Sequence, residues 1–104
     1  MINILFVCTG DTCRSTMASA ITKQKIKDRN LKNLGCSSAG LFVGAEVNMN
    51  ENAKKALKRL NVKVPRHKAT QLTEDRIKKY RYVLTMTEEQ KQTILNRFPY
   101  FTNV

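Results

Sequence analysis

Acidic residues are scarce in this chain. Eight Asp and Glu face nineteen Lys and Arg, a formal net charge of +11. Such an excess suits phosphorylated or acidic partners, and it also suits nucleic acid. Aromatics are few: three Tyr, four Phe and no Trp. No stacking pattern accompanies the charge, which argues against specific nucleic-acid binding. A lysine-rich solvated surface is the plain alternative. No apolar run reaches the ~18 residues of a membrane span. The first apolar segment, Ile2 to Val7, follows no basic leader and precedes no cleavage signal, so no signal peptide is expected. Three cysteines, an odd number, do not make a secreted disulfide framework, and a reducing cytoplasm is inferred. What remains is one globular domain, 1–104, long enough for a modest core. It shows no repeat, linker or low-complexity tract.

The informative stretch is Val7-Cys8-Thr9-Gly10-Asp11-Thr12-Cys13-Arg14-Ser15. The apolar run before it reads as a buried strand, and a helix is expected from about Cys13 to Asp28. Cys8 therefore ends a strand, and a tight loop leads into a helix start. Successive N–H groups of such a loop, with the helix dipole, make an anion site. The same donors and Arg14 stabilise a thiolate. Arg14 offers a planar fork for two phosphate oxygens, and Ser15 can donate a hydrogen bond to the sulfur. Thiolate attack on a phosphoryl group is the chemistry this suggests. Three other readings carry less. Cys8 could be a small buried hydrophobe and Arg14 a solvated charge. The nucleotide-binding pattern Gly-x4-Gly-Lys-Ser/Thr is missing. Cys8, Cys13, Cys36 and His67 lack the paired short spacings of a zinc site, so no metal or cofactor is expected.

The rest of the chain alternates strand and helix signals. Leu34 to Gly40 reads as a weak strand. Asn48 or Asn50 caps a helix whose apolar face is Ala53, Ala56, Leu57 and Leu60, with Asn61 ending it. In the first helix Met17, Ala20, Ile21 and Gln24 form the expected inner face. Thr73 caps a short helix that Leu72 and Ile77 staple, ending near Lys79. Tyr80 to Met86 reads as a third strand, and Thr87 with Gln90 makes a capping box for a last helix. This order implies an α/β fold with a parallel sheet flanked by helices. Three strands are expected, or four if the tail or a partner chain supplies one. Ligands of such sheets sit at the carboxyl ends of the strands, where Cys8 lies.

The pattern resembles the low-molecular-weight protein tyrosine phosphatase family, including its bacterial arginine phosphatase branch. The Cys8-to-Ser15 motif is the specific part. The Ser38-Ala39-Gly40 triplet, the His67-to-Leu72 segment and the Val83-to-Met86 strand add to it. The resemblance implies that Cys8 is the nucleophile and forms a phosphocysteine. It implies that Arg14 binds phosphate and steadies the transition state, and that Ser15 lowers the thiol pKa. Thr9, Gly10, Asp11, Thr12 and Cys13 would bind phosphate or sulfate. Ser38 would brace the loop, and Cys13 would form a protective disulfide with Cys8. Thr12 falls where the arginine phosphatase branch carries Thr.

Departures accompany the likeness. Asp11 stands where the family usually has Asn, and an ionised Asp cannot donate. Thr16 replaces a usual Pro, Thr70 a common Arg, and Arg81 a common Asp. The family's Asp-Pro-aromatic acid loop, fourth strand and closing helix would fall beyond Val104, so the resemblance implies a C-terminally shortened domain. The expected function is hydrolysis of phosphoarginine or phosphotyrosine in phosphoprotein, or of a small phosphate ester, impaired without that acid loop. The alternative is a phosphate-binding module without turnover. Arsenate reduction would need late redox cysteines, and only Cys36 lies outside the loop. Without the family's last strand and helix, one sheet edge and part of one face would be bare, which leads to an expectation of self-association or marginal stability.

Overall fold

The computed structural model describes residues 1–104. Three strands form one parallel sheet: β1 (Ile2–Cys8), β2 (Leu34–Gly40) and β3 (Tyr82–Thr85). Four helices connect them: α1 (Arg14–Asp28), α2 (Glu51–Arg59), α3 (Glu74–Lys79) and α4 (Glu88–Arg97). The strand order is β2-β1-β3, so the strand that ends in Cys8 is central. Cys8 pairs with Gly40 at the carboxyl edge, and Val7 with Thr85.

Local chemistry sets the helix ends. Asn50 accepts from the N–H groups of Asn52 and Ala53, and Thr73 from that of Arg76. Thr87 and Gln90 close a reciprocal capping box. Two helices stop at asparagines in the left-handed region, Asn30 at φ 51° and Asn61 at φ 58°. At each, paired bonds return to the last turn: Asn30 N to Lys27 O with Leu31 N to Ile26 O, and Asn61 N to Lys58 O with Val62 N to Leu57 O. That is the Schellman arrangement, which satisfies orphan carbonyls at a helix end.

Odd positions of β1 and β3 face one layer. Leu5, Val7, Val83, Ala39, Leu41, Leu72, Ile77 and Ile94 build the main core there. On the opposite face α1 packs over β2 and β1. A second cluster of Ala20, Met49, Ala53 and Leu57 joins α1 to α2. The fully buried face of α1 is Ser15, Thr16, Ser19 and Ala20, small and mostly hydroxylated. Apolar spacing pointed instead to Met17, Ala20, Ile21 and Gln24. Met17 and Ile21 do reach the second cluster, but Gln24 turns along the helix to Asp28 at 3.0 Å. Small side chains face β2 because that strand, LGCSSAG, leaves room only for a close approach. Leu60, expected on the inner face of α2, is 59% exposed, because the helix turns off at Asn61 one residue later.

β3 is shorter than the apolar run suggested. Tyr80 closes α3 in an extended conformation, and Met86 leads into the next cap. The tail does not form a strand, but Val83 N donates to Asn103 O at 2.8 Å. Asn103 Nδ2 also donates to the carbonyls of Ile77 and Tyr80. The Tyr100 hydroxyl donates to Glu74; that bond, desolvation and the carboxylate charge raise the Tyr100 pKa above 10.0. No helix is long and apolar enough to cross a membrane.

Candidate active site

Residues 9–13 turn between the end of β1 and the start of α1. The carbonyls of Cys8, Thr9, Asp11 and Thr12 are held from outside the turn. Leu41 N donates to Cys8 O at 3.0 Å, Phe42 N to Thr9 O at 2.9 Å, and Asn50 N to Thr12 O at 2.8 Å. Asp11 O accepts from the Thr16 hydroxyl at 3.1 Å and from His67 Nε2 at 2.5 Å. No backbone N–H from Gly10 to Ser15 donates to a protein acceptor. With the carbonyls drawn outward, the amides are left as an array of unspent donors at a helix start. Asp11, at φ 56°, supplies the left-handed step that such a nest needs. Gly40 lets β2 approach: a Cβ there would lie 3.0 Å from Asp11 N, Gly10 C and Thr9 O.

A polar chain runs beneath the loop. Cys8, 4% exposed, has its Sγ 3.0 Å from Ser15 Oγ. Ser15 Oγ donates to Asp11 Oδ1 at 2.7 Å. Thr70 N donates to Asp11 Oδ2 at 3.0 Å, and His67 Nε2 lies 3.7 Å from that oxygen. The Cys8–Ser15 contact allows either group to donate. A hydroxyl has one proton, so Asp11 Oδ1 competes with the Cys8 sulfur for that of Ser15. The carbonyl of Asp11 can only accept, so His67 carries its proton on Nε2, an assignment made from the bonding pattern.

Arg14 is exposed at the first turn of α1. With Thr9, Phe42, Glu89 and Gln90 it lines a cleft of about 250 Å³. Gln90 Nε2 reaches Thr9 Oγ1 at 3.3 Å and so ties α4 to the loop. Thr12 borders a different cleft with Glu46, Asn48 and Asn50. Cys13 is half-buried and packs against the cluster between α1 and α2. Ser38 is 7% exposed, and its carbonyl accepts from Thr70 Oγ1 and Arg76 Nη1, both at 3.2 Å. The structure thus brings Cys8, Asp11 and Ser15 into contact, while Arg14 lines the cleft that Thr9 and Gln90 share. Sequence reasoning singled out neither Thr70 nor Gln90 as loop supports, nor Glu89 as a carboxylate beside Arg14. Their contacts with the loop span 59 and 81 residues, beyond any spacing rule.

A cysteine at a strand end, an amide nest and an arginine at the following helix start define the class of cysteine-dependent phosphate-loop proteins. The sequence model of the low molecular weight phosphotyrosine protein phosphatase matches residues 3–103, and the chain belongs to that family. It is 38% identical over 96 residues to a protein-arginine-phosphatase of Geobacillus stearothermophilus, covering 92% of this chain and 62% of that protein. The protein-arginine-phosphatase of Bacillus subtilis is 38% identical, with 92% and 63% covered. The chain therefore spans about three-fifths of the length of these relatives. A crystal structure of a YwlE mutant from Bacillus subtilis superposes with a TM-score of 0.85 at 35% identity, covering 95% of this chain and 66% of that one. The fold is the expected parallel three-stranded α/β sheet and superposes on structures of that family, and the resemblance to the arginine phosphatase branch holds.

Proposed function

We propose that this chain hydrolyses phosphorylated protein through a phosphocysteine on Cys8. The observation that carries the reading is the loop itself, with carbonyls held by four segments and the N–H groups of Gly10 to Ser15 left unspent. In this reading the amides of Gly10 to Ser15 and the Arg14 guanidinium hold the phosphoryl oxygens, and Cys8 attacks phosphorus as the leaving group departs. Thr12, at a position where the arginine phosphatase branch carries Thr, and the likeness to arginine phosphatases favour phosphoarginine over phosphotyrosine. Supplying a proton to the leaving group is the weak step. Asp11 has both oxygens engaged below the loop and is fully buried. Glu46 and Glu89 line flanking clefts, and Asp75 lies exposed in the first turn of α3.

A positioned acid contributes about 10²–10⁴-fold. The 104-residue chain is therefore expected to turn over a nitrophenyl phosphate, whose leaving group needs no proton, and to hydrolyse phosphoarginine slowly. Cys8→Ser should abolish turnover and retain phosphate binding, while Arg14→Ala should lose both. If the chain binds phosphate with no Cys8-dependent turnover of the aryl ester, it is a binding module. Equal rates on good and poor leaving groups would overturn the impairment.

A further inference from the structure

A second cavity, of about 230 Å³, lies at the outer edge of β2 between α1, α3 and the segment 65–70. Five of its lining side chains are or can become cationic: Lys23, Arg66, His67, Lys68 and Arg76. No carboxylate lines it. The chain forms only three ion pairs: Lys54 with Glu51, His67 with Asp11 and Lys78 with Glu74. Lys23, Arg66 and Lys68 therefore have no acidic partner. Hydroxyls of Ser37, Ser38 and Thr70 complete the wall. Arg76 is already fixed in place, donating to Ser38 O, Thr70 Oγ1, Ser37 Oγ and Tyr80 OH. The cavity opens into a groove that adds Lys27 and Lys63, again with no carboxylate.

We propose that this cavity is a binding site for a small oligophosphate. Several unpartnered cations converging on one concavity concentrate potential there. The Arg66 guanidinium and the Ser37 and Ser38 hydroxyls can donate to phosphoryl oxygens, and the fixed Arg76 adds charge. The volume falls below the ~300–1,000 Å³ of pockets for drug-sized ligands, so the occupant is compact. The basic groove beyond suits a second or third phosphoryl group better than a monoanion. Free inorganic triphosphate and the triphosphate of a nucleotide share this chemistry. Thr16 and His67 line the cavity and also hold Asp11 O. An occupant that draws either donor away would loosen the loop under Cys8. That coupling rests on the proposed phosphatase reading; the binding site does not.

The test is calorimetric titration of inorganic triphosphate into the 104-residue chain carrying Arg14→Ala, which disables the Cys8 loop as a competing anion site. One-to-one binding is expected. Adding Arg66→Ala and Lys68→Ala, both exposed positions, should raise Kd by about tenfold or more through loss of two charge-assisted contacts. Adding Lys55→Ala and Arg59→Ala on α2 removes the same charge elsewhere and should change Kd less than about twofold. Parallel titration with a nucleoside triphosphate distinguishes the sources: tighter binding assigns the nucleotide, equal binding the phosphates alone. If Arg14→Ala itself removes the binding, the anion sits in the Cys8 loop and the proposal is overturned. If both double variants weaken binding equally, the attraction is diffuse and the proposal is overturned as well.

Discussion

Asp11 concentrates the chemistry of the site at a single residue. It is fully buried, accepts from Ser15 and Thr70, and puts a negative charge under an anion loop. Asp11→Asn keeps an oxygen for Thr70 N and offers an N–H to Ser15, whose own proton is then free for the Cys8 sulfur. Phosphate affinity should rise on the order of tenfold by titration, since a like charge leaves the site. Alkylation of Cys8 by iodoacetamide at neutral pH should quicken. Unchanged or weaker binding would show that Asp11 organises the loop in a way its charge does not oppose. Cys13 gives a second test. We propose that it rescues oxidised Cys8 as a disulfide, so that thiol restores activity after mild peroxide and Cys13→Ser does not recover. Equal recovery would make Cys13 only a packing residue between α1 and α2, where its contacts lie. The motif residues were legible one by one, because residue type and spacing suffice for a strand, loop and helix start. The competition of Asp11 for the Ser15 proton was not legible, because that contact is made by the folded loop and does not follow from the motif spacing.

Among the elements, local rules fared best. The caps at Asn50, Thr73 and Thr87, and the stop at Asn61, were readable because each is a contact within a few residues. The ends of β3 and the buried face of α1 were not, since a strand's length depends on its neighbour and a helix face on what it packs against. Gly40 joins the two kinds. It reads as the end of a weak strand, yet its function is to let β2 touch the loop. Gly40→Ala places a methyl 3.0 Å from three backbone atoms of residues 9–11, none of which is free to swing aside. The expected cost is about 1–3 kcal/mol from overpacking, read as a lower urea midpoint with an unchanged slope. Phosphate affinity should fall in parallel, because the nest is pushed open. Loss of stability with intact phosphate binding would show that the loop holds its shape without β2.

At the scale of the whole molecule, the sheet is unevenly covered. α1 lies over β2 and β1, and on that face Tyr82 (46%), Leu84 (43%) and Ile2 (41%) stay exposed beside half-buried Ile4 and Phe6. Alternation alone does not show this gap, because it marks which residues share a face and not whether a helix covers it; the bared part of one face was expected from the family likeness. We propose that copies of this chain pair across that face, with the +11 charge opposing the contact. Association measured by light scattering should then strengthen as salt screens the charge, and Leu84→Lys should return the chain to monomer. A monomer at every salt concentration would show that the 104 residues need no further cover. The ties on the loop carbonyls reach to residues 41, 42, 50 and 67, well separated along the chain. The amide nest is therefore complete only when segments far apart in the chain are all in place. Local unfolding of any of them dissolves it, so the site has no existence apart from the native state. Any anion bound there counts wholly as ligand of the folded form and raises the melting temperature in proportion to the logarithm of its concentration.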